Sequence, residues 1–200
     1  MSINKTEETI ELLKNRFFHK GYISPSGIKD YMDCSLRFYY KYISNIRESN
    51  EITSEILKPD FGKITHKALE VLYSDVIKNS NNRKININDF FVIKNSISGA
   101  IQKVIKSHFK LNKKNQLSLE GNNIILNEIM EDYILRIISL DEKYAPFEIF
   151  ALEGDKKSGY TKTLELSKNI SVNISGIIDR IDIKNNIYRI IDYKTGGDSK

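Results

Sequence analysis

The stretch Gly176-Ile-Ile-Asp179-Arg-Ile-Asp182-Ile-Lys-Asn185-Asn186-Ile-Tyr188-Arg-Ile-Ile-Asp192-Tyr-Lys194 decides how this chain reads. Its apolar residues are β-branched and alternate with polar ones, the period of a strand. Asn185-Asn186 sits between the two runs, and asparagine tolerates the positive φ of a two-residue type I′ turn. That turn fixes the register: Lys184 faces Ile187, Asp182 faces Arg189, and Asp179 falls opposite Asp192. Cross-strand partners have Cβ atoms about 4.5–5.5 Å apart. Alternate residues share a face, so Ile177, Ile181, Tyr188, Ile190 and Lys194 lie on the side of the two aspartates. Two carboxylates facing one another on an apolar surface repel and lose hydration, and a divalent metal between them removes the conflict. Lys194, two residues beyond Asp192, is placed to hold or help deprotonate a water, or to stabilise charge developing on a phosphate. The plainer alternative is a set of strand-end charges solvated beyond the core.

Upstream, the spacing is helical. Ile3, Ile10, Leu13, Phe17 and Phe18 form an amphipathic pattern over residues 3–20. Ser24-Pro25 then supplies an N-cap and a first helical residue for a helix through Ile28, Tyr31 and Met32. The aromatic run Leu36, Phe38, Tyr39, Tyr40 and Tyr42 reads as a short helix buried on most of its circumference. Glu48 to Pro59 is polar and turn-like. A strong helix runs from Phe61 to about Lys78, and another, capped by Asn88 or Asp89, continues through Ile105. After a polar loop at residues 112–116 comes a helix around Ile124 to Leu140, with Tyr133 among its apolar positions, and Pro146 closes the helical part. Strands are expected at 147–152, 161–166, 170–183 and 187–193.

Composition excludes more than it asserts. Of 200 residues, 31 are Lys or Arg and 26 Asp or Glu, a net charge of +5 that permits a polyanionic partner without requiring one. Hydrophobic residues make up 40%, enough for a folded core. The single cysteine, Cys34, excludes an internal disulfide and an iron–sulfur cluster built within this chain. No run of eighteen apolar residues and no signal-peptide core are present, so the expectation is a cytoplasmic protein without a membrane association. No internal repeat or long linker divides it. One α/β domain with α+β-like order is expected over 1–200, mainly helical through 146, with a small mixed β-sheet after it.

Four stretches, in this order, resemble the PD-(D/E)XK nuclease superfamily, specifically its RecB-like exonuclease branch, which includes AddB-type proteins. They are Ile23-Ser-Pro-Ser through Cys34-Ser-Leu-Arg-Phe-Tyr-Tyr-Lys-Tyr42, Phe61-Gly-Lys-Ile-Thr-His66 with Leu69 and Glu70, Ala151-Leu-Glu153, and the hairpin from Gly176 through Asp192-Tyr-Lys194-Thr-Gly196. The resemblance implies a restriction-endonuclease-like core and hydrolysis of DNA in recombination or repair. It implies that His66, Asp179, Asp192 and the Tyr193 carbonyl hold Mg²⁺ or Mn²⁺, that Lys194 positions the attacking water, and that Glu153 is a secondary acidic group. Taken alone, His66 reads as a core histidine beside Leu69, Tyr73 and Ile77; the resemblance reverses that preference. It also implies DNA ends or single strands as substrate and a helicase as partner. Two features depart from the pattern. Ser35 stands where relatives carry a proline, and the chain stops at Lys200, before the helix bearing Gln-x-x-x-Tyr. The chain is therefore expected to be a fragment of a larger protein or a shortened relative, and a catalytically inactive scaffold in a helicase complex is the alternative to an active nuclease.

Overall fold

Asn185 and Asn186 adopt φ of 51° and 61°, and the strands they join keep the expected register, Lys184 against Ile187 and Asp182 against Arg189. These values come from a computed structural model, which describes residues 6–19, 21–46, 58–80, 82–109, 122–153, 159–167 and 170–195. Of the turn-like stretch expected from Glu48 to Pro59, residues 48–57 lie outside the described residues, as do the 112–116 loop and residues 196–200, while Lys58 and Pro59 already belong to a helix.

The chain divides into two compact units, Met1–Glu51 with Gly159–Ile177, and Ile52–Ser158 with Ile178–Lys200. In the first, α1 (Glu7–Lys14) is capped by Thr6, whose hydroxyl accepts the Thr9 N–H, and continues as a π-helical turn over Asn15–His19. Ser24 caps α2 (Pro25–Asp33) through the Gly27 N–H, with Pro25 at the first turn as its missing donor allows. After α3 (Ser35–Phe38) comes a second π-helical turn, Tyr39–Ile43. In the aromatic run only Phe38 is buried, while Leu36, Tyr39, Tyr40 and Tyr42 are half-buried. The rings gather on one side, with Phe17, Tyr31 and Tyr42 all around Phe38 at 5.0–5.6 Å, so the helix presents one aromatic seam instead of a buried circumference. Strands β3 (Gly159–Ser167) and β4 (Ile170–Ile177) form a separate antiparallel hairpin in the same unit.

The second unit holds the large core. Its helices are α4 (Lys58–Ser80), α5 (Asp89–Asn95), α6 (Ile97–His108) and α7 (Asn122–Tyr144). Its sheet orders β1 (Lys84–Ile85), β2 (Phe147–Leu152), β5 (Arg180–Lys184) and β6 (Ile187–Ile191) as β1-β2-β5-β6, antiparallel throughout. Ile64, Leu69, Tyr73, Ile101, Ile134, Ile138 and Ile149 are fully buried between these elements. Each aliphatic side chain so buried contributes about 1.5–3 kcal/mol of transfer free energy. The single helix expected over 88–105 is broken at Ser96, whose hydroxyl bonds back to the Val92 carbonyl. Asn88 makes no side-chain cap; Asp89 instead accepts the Asn86 N–H.

Two corrections bear on the site. The small mixed sheet expected at the end is two antiparallel pieces, and the run 170–183 is not one strand. It ends at Ile177 in one unit and resumes at Arg180 in the other, leaving Asp179 at the corner. The face of β6 that carries Tyr188 and Ile190 is exposed, at 60% and 67%, whereas β5 is buried on both faces over Arg180, Ile181 and Asp182. The face away from Ile181 is charged: Arg180 and Asp182 are 1% and 0% exposed. Charge can be buried there because it closes on itself. Arg180 pairs with Asp141 of α7 at 2.7 Å and with Asp182 at 3.1 Å, Arg189 reaches both aspartates, and Tyr73 of α4 donates its hydroxyl to Asp141 at 2.6 Å.

Candidate metal centre

Four elements of the second unit bring the site together. His66 projects from the third turn of α4, Glu153 follows the last residue of β2, Asp179 sits at the corner before β5, and Tyr193 lies just past β6. One donor atom each from His66, Glu153 and Asp179 lies within 4.8 Å of the other two, and all three side chains are half-buried. Among the described residues this is the group of histidines, cysteines and acids arranged to hold a cation.

The hydrogen bonds explain the convergence. The ladder ends at the pair Arg180–Ile191, one step before the two aspartates meet. Asp179 then turns its Oδ2 to accept the Tyr193 N–H at 2.7 Å. This bond does for the irregular segment 192–195 what a further ladder rung would have done. The Tyr193 carbonyl faces the other way and bonds His66 Nε2 at 2.7 Å, so Nε2 carries the hydrogen. In the neutral ring Nδ1 is then an acceptor, and it looks at Asp179 Oδ2 from 3.4 Å. Two acceptors face one another there, with the Glu153 carboxylate beside them. A proton or a cation resolves that arrangement, and the oxygen-rich donor set suits a hard divalent ion, one imidazole being compatible with Mn²⁺. The donors present fit the group. The Tyr193 carbonyl acts in this geometry as the partner that orients the imidazole, as carbonyls commonly do behind ligating histidines.

Electrostatics point the same way. Burial pushes the Glu153 carboxyl above its ordinary range, and the neighbouring Asp179 charge raises it further, while His66 works against both. The Tyr193 ring is buried against the Arg180 guanidinium, and burial raises its phenol well above the usual value.

The other two residues singled out in the sequence behave differently. Asp192 and Lys194 form an ion pair of 2.6 Å, with side chains 58% and 79% exposed. The hydrogen bond it donates to Asp192 raises the Lys194 ammonium above its ordinary pKa, so the lysine stays charged through neutral pH. Asp192 is not among the three converging donors. Two residues near the site were given no role by the motif reading. Glu70, one turn beyond His66, contributes charge at Glu153 and is tied to Lys67 at 2.5 Å. Tyr133 of α7 donates its hydroxyl to the Lys194 carbonyl at 2.5 Å. Helical periodicity counts a tyrosine as an apolar position and is silent about where its hydroxyl goes.

With this geometry in hand, the relatives can be placed. A family model described as the PD-(D/E)XK nuclease superfamily matches residues 22–200. An uncharacterized protein of Rickettsia felis is 30% identical over 168 residues, 80% of this chain. An ATP-dependent helicase/deoxyribonuclease subunit of Clostridium novyi is 23% identical over 206 aligned positions, 93% of this chain. In both cases the chain spans 17% of the relative's own length.

Proposed function

The chain belongs to the PD-(D/E)XK nuclease superfamily, and from that premise we propose that its second unit is a divalent-metal-dependent deoxyribonuclease domain of the RecB-like exonuclease type. The observation that carries the reading is the meeting of His66, Glu153 and Asp179 within 4.8 Å, two of them, His66 and Asp179, being metal ligands that the family resemblance implies. A bound Mg²⁺ or Mn²⁺ would supply charge neutralisation at the scissile phosphate and a more acidic water. Asp179 and His66 hold the cation, Glu153 adds a carboxylate beside them, and the Tyr193 carbonyl orients the imidazole. Asp192 joins the same set, its carboxylate being released from Lys194 for the purpose.

Lys194 supplies positive charge at the edge of the site: the ammonium faces the charge that builds on the phosphate oxygens and orients the attacking water. Water oxygen bonds to phosphorus and gives up a proton to solvent, the phosphorus–oxygen bond to the leaving sugar breaks, and the leaving oxygen gains a proton from solvent. The relative in Clostridium novyi is one subunit of an ATP-dependent helicase/deoxyribonuclease. By extension, DNA ends or single strands are the substrate, a helicase the partner, recombination or repair the setting, and the cytoplasm the location. Among the described residues no helix is long and apolar enough to cross a membrane.

One observation favours a second reading, a nuclease-like scaffold without activity: Asp192 is bound to Lys194 and stands outside the converging donors. Cleavage of a 5′-labelled single-stranded oligonucleotide with Mn²⁺, by the chain and by Lys194→Ala, separates the two. Metal-dependent cleavage lost in Lys194→Ala supports the enzyme. Metal binding without cleavage in either protein supports the scaffold.

A further inference from the structure

We infer that Tyr133 is a positioning residue for Lys194: from α7 its hydroxyl fixes the stretch of backbone from which the lysine side chain projects. The inference rests on the nuclease reading for its catalytic consequence, but its structural content stands on the hydrogen bonds themselves.

Lys194 sits in an irregular segment, 192–195, that belongs to no ladder. A chain of that kind is held by what its polar groups meet and by any side chain it buries. Tyr193 has its ring buried in the core, and its backbone is held twice, its N–H by Asp179 and its carbonyl by His66. Both anchors are members of the metal centre, and both act one residue before the lysine. The Lys194 side chain, 79% exposed, receives no help from burial, and its ion pair with Asp192 joins two exposed groups of the same short segment. Such a pair can move as a unit and fixes little. The hydrogen bond from Tyr133 is different, because it reaches the Lys194 carbonyl from an element 61 residues away in sequence. Tyr133 is itself seated: its ring meets Phe61 of α4 edge-on at 6.5 Å, and its neighbour Ile134 is fully buried in the core. Thr195 also lies close to α4: a Cβ built on Gly62 would stand 2.9 Å from its Oγ1. Tyr133 thus ties the lysine's backbone to the rigid helices, while Asp179 and His66 tie Tyr193 to the metal donors.

A residue acting this way should affect the lysine and leave the metal alone. Misplacing a reacting group by about 1 Å can cost up to 10²-fold in rate. The variant Tyr133→Phe keeps the ring and its seat on Phe61 and removes only the hydroxyl. Two measurements on the full chain test it. First, ¹⁵N relaxation at the Lys194 and Thr195 amides should give order parameters near the rigid value of about 0.85 in the parent and below about 0.6 in Tyr133→Phe. Second, with Mn²⁺ and a single-stranded oligonucleotide, kcat should fall roughly ten- to hundredfold, with KM and Mn²⁺ affinity unchanged. Unchanged order parameters at both amides overturn the inference, whatever the activity. Looser amides with unchanged kcat overturn its catalytic part, and a loss of Mn²⁺ affinity in Tyr133→Phe would show the hydroxyl to serve the metal donors instead. A parent chain that does not cleave sinks the nuclease reading, and the relaxation measurement still decides whether Tyr133 anchors the lysine.

Discussion

Replacing Asp141 by asparagine should destabilise the second unit far more than its single lost charge suggests. The carboxylate of Asp141 receives the Tyr73 hydroxyl at 2.6 Å, Arg180 at 2.7 Å and Arg189 at 2.9 Å. An amide offers one acceptor oxygen where two carboxylate oxygens now work, and it turns an NH₂ toward a donor. Arg180, whose side chain is 1% exposed, would keep Asp182 as its remaining carboxylate partner while Arg189 competes for the same group. Two guanidinium charges would then share one buried carboxylate. Removing one partner of a buried ion pair costs about 3–5 kcal/mol, because the charge left behind has no water to replace it. For a chain of this size that lowers the melting temperature by roughly 10 °C. The control is Asp132→Asn, which removes an ion pair to Arg136 whose side chains are 60% and 76% exposed and should cost at most about 1 kcal/mol. Guanidinium unfolding of both variants beside the parent checks the difference. A loss below about 1 kcal/mol for Asp141→Asn would refute the idea that this network closes the charge balance of the core.

Other expectations follow from single positions. Asn185→Val forces a β-branched residue into φ of 51° and should cost about 1–2 kcal/mol in chemical denaturation, whereas Asn186→Gly, at φ of 61°, should be neutral or slightly stabilising; a neutral Asn185→Val would contradict the type I′ assignment. In the first unit, the hydrogen bond from Lys41, followed by that from Tyr42, holds the Asp30 carboxyl below its ordinary pKa. A lowered folded pKa means the unfolded chain binds the proton more readily, so this contribution is full above the unfolded carboxylate pKa and is lost as pH falls through the folded one. Carboxyl NMR should show Asp30 titrating below 3.8, and a midpoint at or above that value would show that the pairing does not hold in solution.

The hairpin was legible because its information is local. Two asparagines and an alternating pattern suffice for the turn and the register, and both stand as expected. What the pattern lacked was the point at which pairing stops. The register carried one step past Arg180–Ile191 would set Asp179 against Asp192, yet the ladder stops there: Asp179 accepts the Tyr193 N–H, and Asp192 goes to Lys194. That outcome depends on His66 holding the Tyr193 carbonyl across 127 residues. The division of 170–183 between two sheets is hidden for a similar reason, since the residues on either side of Ile178 have the same strand character. The Arg180–Asp141 pair joins positions 39 apart, in a strand and a helix whose separate patterns give no reason to couple them. His66 shows the opposite case. Its helical face reads as core, and the family resemblance, not the periodicity, directed attention to it.

Whether the three converging donors bind a divalent ion, and whether that ion supports cleavage, decides the functional reading. Mn²⁺ titration by isothermal calorimetry, run with a cleavage assay on a single-stranded oligonucleotide for the chain and for Asp179→Asn, asks both questions together. One site that binds Mn²⁺, supports cleavage and is lost with both in Asp179→Asn is the result expected. Cleavage that persists in Asp179→Asn, or Mn²⁺ binding that this substitution leaves intact, would contradict it.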